Sequence, residues 1–368
     1  MKIAITGAKG LIGWHAAARL HAQNCAARYR NEPPPHEIVQ IDLDDSGRLA
    51  SLLEGVDGIL HFAGVNRGEE AEVERGNPDI ARELIGACQA AGVRPHIVYS
   101  NSTHAESDTP YGRSKRIAGE LLAAFAPAYT DLVLPHIFGE CARPYYNNVT
   151  ATLIDKLWKG ETPQINPDGR VQLLHAGTAA QTAIDALLEG RTGRIAPEGR
   201  DMSVGDLYAR LQHFHALYSA DIFPDLADPF DLALFNSYRT GGYPDHYPRM
   251  LKVNADHRGV LFESAKGGNA AQSFLSTTLP GKTRGDHFHT ALVERFLVVK
   301  GEAVIRIRRV LTDEVREFHV SGDTPGAIDM PPLHTHNIEN RGQGEVITFF
   351  WSHHLFDPAD PDTFADPV

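Results

Sequence analysis

Cysteine is scarce in this 368-residue chain, with three residues in all. Cys25, Cys88 and Cys141 are odd in number, far apart and free of any CxxC pairing. That excludes a disulfide framework and a zinc ribbon, and it points to a reducing compartment. Long apolar runs are also missing. None approaches the roughly 20 residues that cross a bilayer, and the opening run Ile3 to Ile5 is too short for a signal-peptide core. A cytoplasmic protein without a membrane partner is expected. Basic residues are in deficit: 35 Lys and Arg stand against 47 Asp and Glu, a net charge of −12. General nucleic-acid binding needs a basic surface and is not expected. A small anionic substrate, held by a few local cations, stays open.

What is present is 42% hydrophobic and too long for one ordinary core, so two domains are expected. The first ~135 residues alternate short apolar runs with helical periods. Lys2–Thr6, 38–43, 58–63, 96–100 and 131–135 read as strands. Residues 13–22, 48–53, 78–91 and 111–125 read as helices, with Pro78 near the start of the third. That alternation predicts a doubly wound, Rossmann-like parallel sheet. Helices are expected at 150–157 and 203–217. Residues 221–248 are rich in Pro, Asp, Tyr and Gly and read as a linker or an extended docking segment. Beyond 251 the pattern becomes short β runs between Gly and Pro turns, as at 296–299, 303–308 and 346–351. An all-β barrel or sandwich is expected there.

Thr6-Gly7-Ala8-Lys9-Gly10-Leu11-Ile12-Gly13 reads TGxxGxxG between a strand and a helix. Glycine lets such a loop turn sharply and approach a pyrophosphate at the helix N-terminus. Gly7, Lys9, Gly10, Leu11, Ile12 and Gly13 are therefore cofactor candidates. Lys9 could reach a ribose 2′-phosphate. Arg28 and Arg30 lie in 26–30, a run readable as the second strand, and could do the same. The three favour NADPH over NADH; all are equally readable as solvated surface charges.

Tyr111 and Lys115 stand four apart, on one face of a helix. An ammonium near a phenol lowers its pKa and readies it for proton exchange with a carbonyl. Ser102 follows a strand and could polarise that carbonyl, with Ser100 as a weaker alternative. Asn147, Asn148 and Arg170 are substrate candidates, as is any polar loop. Later, Gly-x5-His287-x-His289-x4-Glu294-x6-Gly is followed by Pro331-Pro-Leu-His-Thr-His336 and Asn340. His287 and His289 alternate along a strand. With Glu294 and His336 they form a donor set suited to Zn²⁺ or another first-row divalent metal. His334 reads as a surface histidine or a substrate contact.

In this order, TGxxGxxG, His61-Phe-Ala63-Gly64, Ser-Asn-Ser and YxxxK resemble an extended short-chain dehydrogenase/reductase. The resemblance implies that Ala63 and Gly64 border the cofactor and that Ser102, Tyr111 and Lys115 catalyse. The histidine motifs resemble a cupin, except that Leu333 stands where that family has Gly. Asp256-His-Arg258-Gly259 with Glu263 resembles a segment of sugar-epimerising cupins, making Arg258 and Glu263 substrate candidates. A reductase at 1–245 (nucleotide-binding core 1–140) followed by a cupin β-barrel at 246–368 resembles the family of capsular polysaccharide assembling proteins. The implied activity is C3 epimerisation by the cupin and NADPH-dependent C4 reduction by the reductase. The implied substrate is a UDP-linked 4-keto-6-deoxy-N-acetylhexosamine, and a homodimer through the β domain is implied as well. A structural, dimerising cupin beside a lone reductase, or a nucleotide-bound regulatory protein, is the alternative.

Overall fold

The computed structural model describes residues 1–257, 259–267 and 271–368; of 43, 44, 46, 255, 256 and 259–262 it describes the backbone alone. Contacts divide the chain into two compact units. The first is Met1–Val149 with Gly169–Ser203, and the second is Thr150–Asp168 with Val204–Val368. The sequence division at 245/246 follows a change of residue pattern, whereas this division follows packing.

In chain order the first half runs β1 Lys2–Thr6, α1 Leu11–Tyr29, β2 Glu37–Ile41, α2 Leu49–Leu52, β3 Gly58–His61 and α3 Glu70–Ala90. It continues through β4 His96–Ser102, α4 Pro110–Phe125, β5 Ala128–Leu134, β6 His136–Phe138, α5 Val149–Trp158, β7 Arg170–His175 and α6 Ala176–Leu188. Strands β8 Gly193–Ile195 and β9 Arg200–Ser203 complete it. The main sheet of the first unit is wholly parallel, in the order β2-β1-β3-β4-β5-β8. Its inner strands β1 and β3 are buried on both faces, as their apolar runs require. Strand order reverses between β1 and β3, so a crevice opens at their C-terminal ends. The expected doubly wound sheet is present.

Two expectations for this unit are corrected. Residues 26–30 are not a strand. They close α1, whose alanine-rich sequence favours a helix and buries Ala27. The second strand begins only at Glu37, after Pro33 to Pro35. The third helix starts at Glu70 rather than 78, where Glu69 and Glu72 form a reciprocal capping box, and Pro78 lies inside it.

The second unit opens on α5 and adds α7 Val204–Ser219 and α8 Pro229–Gly242. Then come β10 Arg249–Met250, β11 Val253–Asp256, β12 Gly259–Phe262, β13 Gln272–Thr278, β14 Thr283–Phe288, β15 Glu294–Lys300 and β16 Glu302–Arg309. The last are β17 Val315–Ser321, β18 Gly326–Met330, β19 His334–Asn340, β20 Val346–Ser352 and β21 Phe364–Ala365. They form two antiparallel five-stranded sheets, β10-β18-β15-β20-β13 and β17-β16-β19-β14-β21, plus the hairpin β11-β12. Phe296, Val298, Ile305, Ile307, Ile328 and Ile338 meet between the sheets. The all-β expectation holds.

The linker or extended docking segment expected at 221–248 contains α8, capped by the Asp228 side chain on the Phe230 N–H. Its Leu234, Phe235 and Tyr238 are fully buried. Composition misled here because capping Asp and N1 Pro are helix-start signals as well as loop signals. Helix α7 is held to the β-sheet by a buried cluster. Arg295 makes a two-pronged pair with Asp329 at 2.6 and 2.8 Å, and the Tyr218 hydroxyl donates to the same carboxylate.

Candidate functional site

The loop after β1 is shaped by two glycines. Gly7 has φ +68°, and a Cβ there would stand 2.7 Å from the Ala63 nitrogen. A Cβ on Gly13 would stand 2.2 Å from the Gly7 carbonyl oxygen. Both therefore exclude any side chain. Gly10 precedes α1, and no side chain caps the helix, so Leu11 and Ile12 offer their N–H groups to an anion. Ala63 and Gly64 follow β3 at the same edge, and a Cβ on Gly64 would lie 3.9 Å from Lys115 Nζ.

Lys9 is solvent-exposed but has a partner in Asp42. Its backbone N–H donates to Asp42 Oδ1 at 3.1 Å, and its Nζ lies 3.3 Å from Asp42 Oδ2. Asp42 directly follows β2, the position at which a carboxylate receives the ribose hydroxyls of NAD. Sequence reasoning missed it, although 38–43 had been read as a strand. Arg30 sits past the end of α1 on Glu32, at 2.8 Å and exposed. Arg28 lies within α1, 3.1 Å from Cys25 Sγ. Neither lies on the strand that would carry it to a ribose.

Strand β4 and helix α4 bring the hydroxyls together. Ser102 lies close enough to Tyr111 to lower its phenol pKa, and its Oγ accepts from the His104 N–H at 3.2 Å. Ser100 instead donates to the His61 carbonyl at 3.1 Å. Burial pushes the Tyr111 phenol up, and Ser102 pulls against it. Lys115 lies one turn further along α4. Its Nζ donates to the Ser100 carbonyl at 2.5 Å and sits 4.2 Å over the Tyr99 ring. Burial brings the Lys115 amine down to about 7, with Asp131 opposing. Asn77, on α3, braces the site: its Nδ2 donates to the Val65 carbonyl and to Ser114 Oγ, both at 2.8 Å.

The other candidates serve nearby backbone or ion pairs. Asn147 donates to the Asn66 carbonyl and Asn148 to the Ile137 carbonyl, each at 2.9 Å. Arg170 pairs with Asp201, both exposed. Glu263 lies 3.1 Å from Lys266 Nζ. Arg258 lies outside the described residues.

In the second unit the four expected ligands converge. One donor atom each from His287, His289, Glu294 and His336 lies within 4.8 Å of the others. His289 Nε2 is 3.1 Å and His336 Nε2 3.6 Å from Glu294 Oε2. A bulge between Gly285 and His287 sets the register, and β14 stops at Phe288, so His289 stands just beyond the strand. Burial drives His287 down to about 3, and burial also lowers His336. Burial opposes charge on His289 too, but the Glu294 carboxylate outweighs it and lifts that ring. His336 Nε2 is buried without a hydrogen-bond partner. Such a nitrogen pays desolvation for nothing unless something coordinates it, so three imidazoles and one carboxylate fit Zn²⁺ or a similar ion.

The surroundings orient the ligands. The Asp362 carbonyl takes the His289 Nδ1 proton at 2.7 Å, leaving Nε2 for a metal. The Asp362 carboxylate accepts from the N–H groups of Thr290, Ala291 and Leu292 at 2.8, 2.9 and 2.8 Å, and from Thr290 Oγ1 at 2.6 Å. Leu333, in place of glycine, adopts φ 57° and is fully buried. The backbone takes the left-handed turn regardless, held by the Leu333 N–H on the His289 carbonyl at 2.7 Å. His334 is buried rather than at the surface, against Tyr243 at 5.3 Å. A cavity of about 260 Å³ opens on the cluster, lined by Gln272, Phe274, His287, His289, Glu294 and His354 among others.

Both halves of the chain resemble known proteins. Residues 3–205 match the NAD dependent epimerase/dehydratase family, and 254–364 match a polysaccharide biosynthesis C-terminal domain. The chain is 30% identical to a UDP-2-acetamido-2,6-beta-L-arabino-hexul-4-ose reductase of Pseudomonas aeruginosa, across 100% of this chain and 99% of that one. It is 29% identical to the capsular polysaccharide assembling protein CapF of Staphylococcus aureus, with TM-score 0.59 and 100% of both chains covered.

Proposed function

The chain belongs to the NAD dependent epimerase/dehydratase family, in the two-part form that CapF shares, and from that premise we propose that it is a UDP-sugar 4-ketoreductase with 3-epimerase activity. The substrate would be a UDP-linked 4-keto-6-deoxy-N-acetylhexosamine. The product would be UDP-2-acetamido-2,6-dideoxy-L-talose, on the route to UDP-N-acetyl-L-fucosamine. The observation that carries the reading is the Ser102–Tyr111 pair beside Lys115, at the edge where the Gly7–Gly13 loop receives a dinucleotide.

The nicotinamide supplies a hydride. Tyr111 donates its phenol proton to the C4 oxygen, and Ser102 polarises that oxygen. Lys115 holds the Ser100 carbonyl and places a cation beside Gly64. Against the NADPH preference expected from Lys9, Arg28 and Arg30, we read NADH from the carboxylate after β2. Arg28 and Arg30 sit off the ribose strand, and Asp42 engages Lys9.

A 4-keto sugar has an acidic C3–H, since the carbonyl stabilises the enolate. A divalent metal, Zn²⁺ by its donor set, would supply Lewis-acid stabilisation. His287, His289, Glu294 and His336 would hold it, and the adjoining cavity admits a sugar. The reading is completed by a cytoplasmic homodimer in which residues 1–245 serve the reductase and 246–368 the epimerase. Purified protein, the keto-sugar and NADH should give the 4-hydroxy product, and Tyr111→Phe should abolish reduction while keeping cofactor binding. Reduction undiminished in that variant would sink the assignment.

A further inference from the structure

Two guanidinium groups outside the hydride-transfer site lie on one aromatic ring. Arg67 stands 5.7 Å and Arg143 5.1 Å from the Tyr146 ring centroid. Among the described residues neither has a carboxylate at ion-pair distance, in a chain with 47 acidic residues. Two like charges gathered without a counter-charge repel each other, and an anion between them removes that cost.

The loops that carry them are held in place. Arg67 Nη1 donates to the Tyr145 carbonyl at 2.7 Å, and Asn147 Nδ2 donates to the Asn66 carbonyl at 2.9 Å. Cys141, Tyr145 and Asn147 all adopt left-handed backbone, at φ 63, 60 and 50°. Non-glycine residues persist there only where surrounding contacts hold them, often beside a ligand.

Position narrows the ligand. Arg67 follows Gly64 by three residues, a span of at most roughly 11 Å. Gly64 is itself the neighbour of Lys115 Nζ. The loop that carries Arg67 therefore starts at the reaction centre. The dinucleotide's own pyrophosphate is accounted for by the Gly7–Gly13 loop and the open N-terminus of α1, so a second diphosphate is the anion left to bind.

We infer that Arg67 and Arg143, gathered on Tyr146, hold the diphosphate of the nucleotide-linked substrate. Guanidinium forks suit this task, since they match phosphate oxygens two at a time. The inference rests on the nucleotide-sugar reading above, and the probes separate the two.

Calorimetry would titrate UDP, and separately NADH, into the full-length protein. Arg67→Gln with Arg143→Gln should weaken UDP by about ten-fold or more and leave NADH within about two-fold. The UDP affinity of the double variant should also depend less on salt. Arg143→Gln alone, which removes no loop hydrogen bond, should show part of the same loss. Unchanged UDP affinity in the variants, with the wild type binding UDP, overturns this assignment alone. Equal losses of UDP and NADH also overturn it, because the pair would then serve the cofactor or the fold. A wild type that binds no UDP takes the nucleotide-sugar reading down as well.

Discussion

At the scale of single residues, the proposed use of NADH rests on Asp42. A carboxylate at the end of β2 accepts from ribose hydroxyls and repels a 2′-phosphate. NADH should be preferred over NADPH by about ten-fold or more in kcat/KM, and Asp42→Ser should narrow that gap from both sides. Steady-state kinetics with both nucleotides decide it, and a wild-type preference for NADPH would refute the assignment. Asp362 holds the candidate metal ligand His289 through its backbone carbonyl and anchors the segment with its carboxylate. Asp362→Ala should free that segment and weaken metal affinity by about ten- to a hundred-fold, read by competition with a chelator. Metal affinity equal to the wild type would show the anchor to be dispensable. The cluster of four candidate metal ligands was legible because two histidines, an acid and a later histidine kept motif spacing. Asp362 was not, because it reaches His289 from 73 positions away. Asp42 was legible in principle, yet attention to Arg28 and Arg30 drew the ribose site to the wrong run.

At the scale of elements, misreadings fell where helix and loop share residues. Helix α1 buries residues on nearly every side, including His15 and Asn24, so it lacks the polar stripe that betrays helical period. Its end was therefore mistaken for a strand. Helix α6 has no acid in its first turn. A buried carboxylate nearby is Glu140, after β6. The His175 ring donates to Glu140 Oε2 at 2.8 Å, and His15 lies 3.6 Å from the same oxygen. Burial works against the Glu140 charge, but His175 outweighs it and brings the carboxyl down to about 2, against an ordinary 4.5. A depressed carboxyl stabilises the fold fully above pH 4.5, and that contribution is lost as pH falls toward 2. The gap is worth roughly 3 kcal/mol. His15, brought by burial to about 3, acts in the same direction from pH 6.5 downward. Glu140→Gln should cost about 3 kcal/mol near neutral pH and flatten the loss of stability between pH 4.5 and 2, by urea unfolding. An unchanged pH slope would contradict the pairing.

At the scale of the whole chain, both folds were legible from grammar: alternating strand and helix first, then short strands between turns. The packing boundary was not, because α5, α7 and α8 pack with the β-sheets although they precede them in sequence. Packing partners are fixed by buried groups such as Tyr218 and Asp329, 111 positions apart, which no local pattern reveals. The central claim is that one chain both epimerises C3 and reduces C4. Its most direct test is proton NMR of the UDP-linked 4-keto-6-deoxy-N-acetylhexosamine with the purified protein in D₂O, first without nucleotide and then with NADH. The account predicts loss of the C3 proton signal before NADH is added and a new C4 carbinol signal afterwards. Reduction without C3 exchange would contradict it and leave the β-sheet unit as a scaffold.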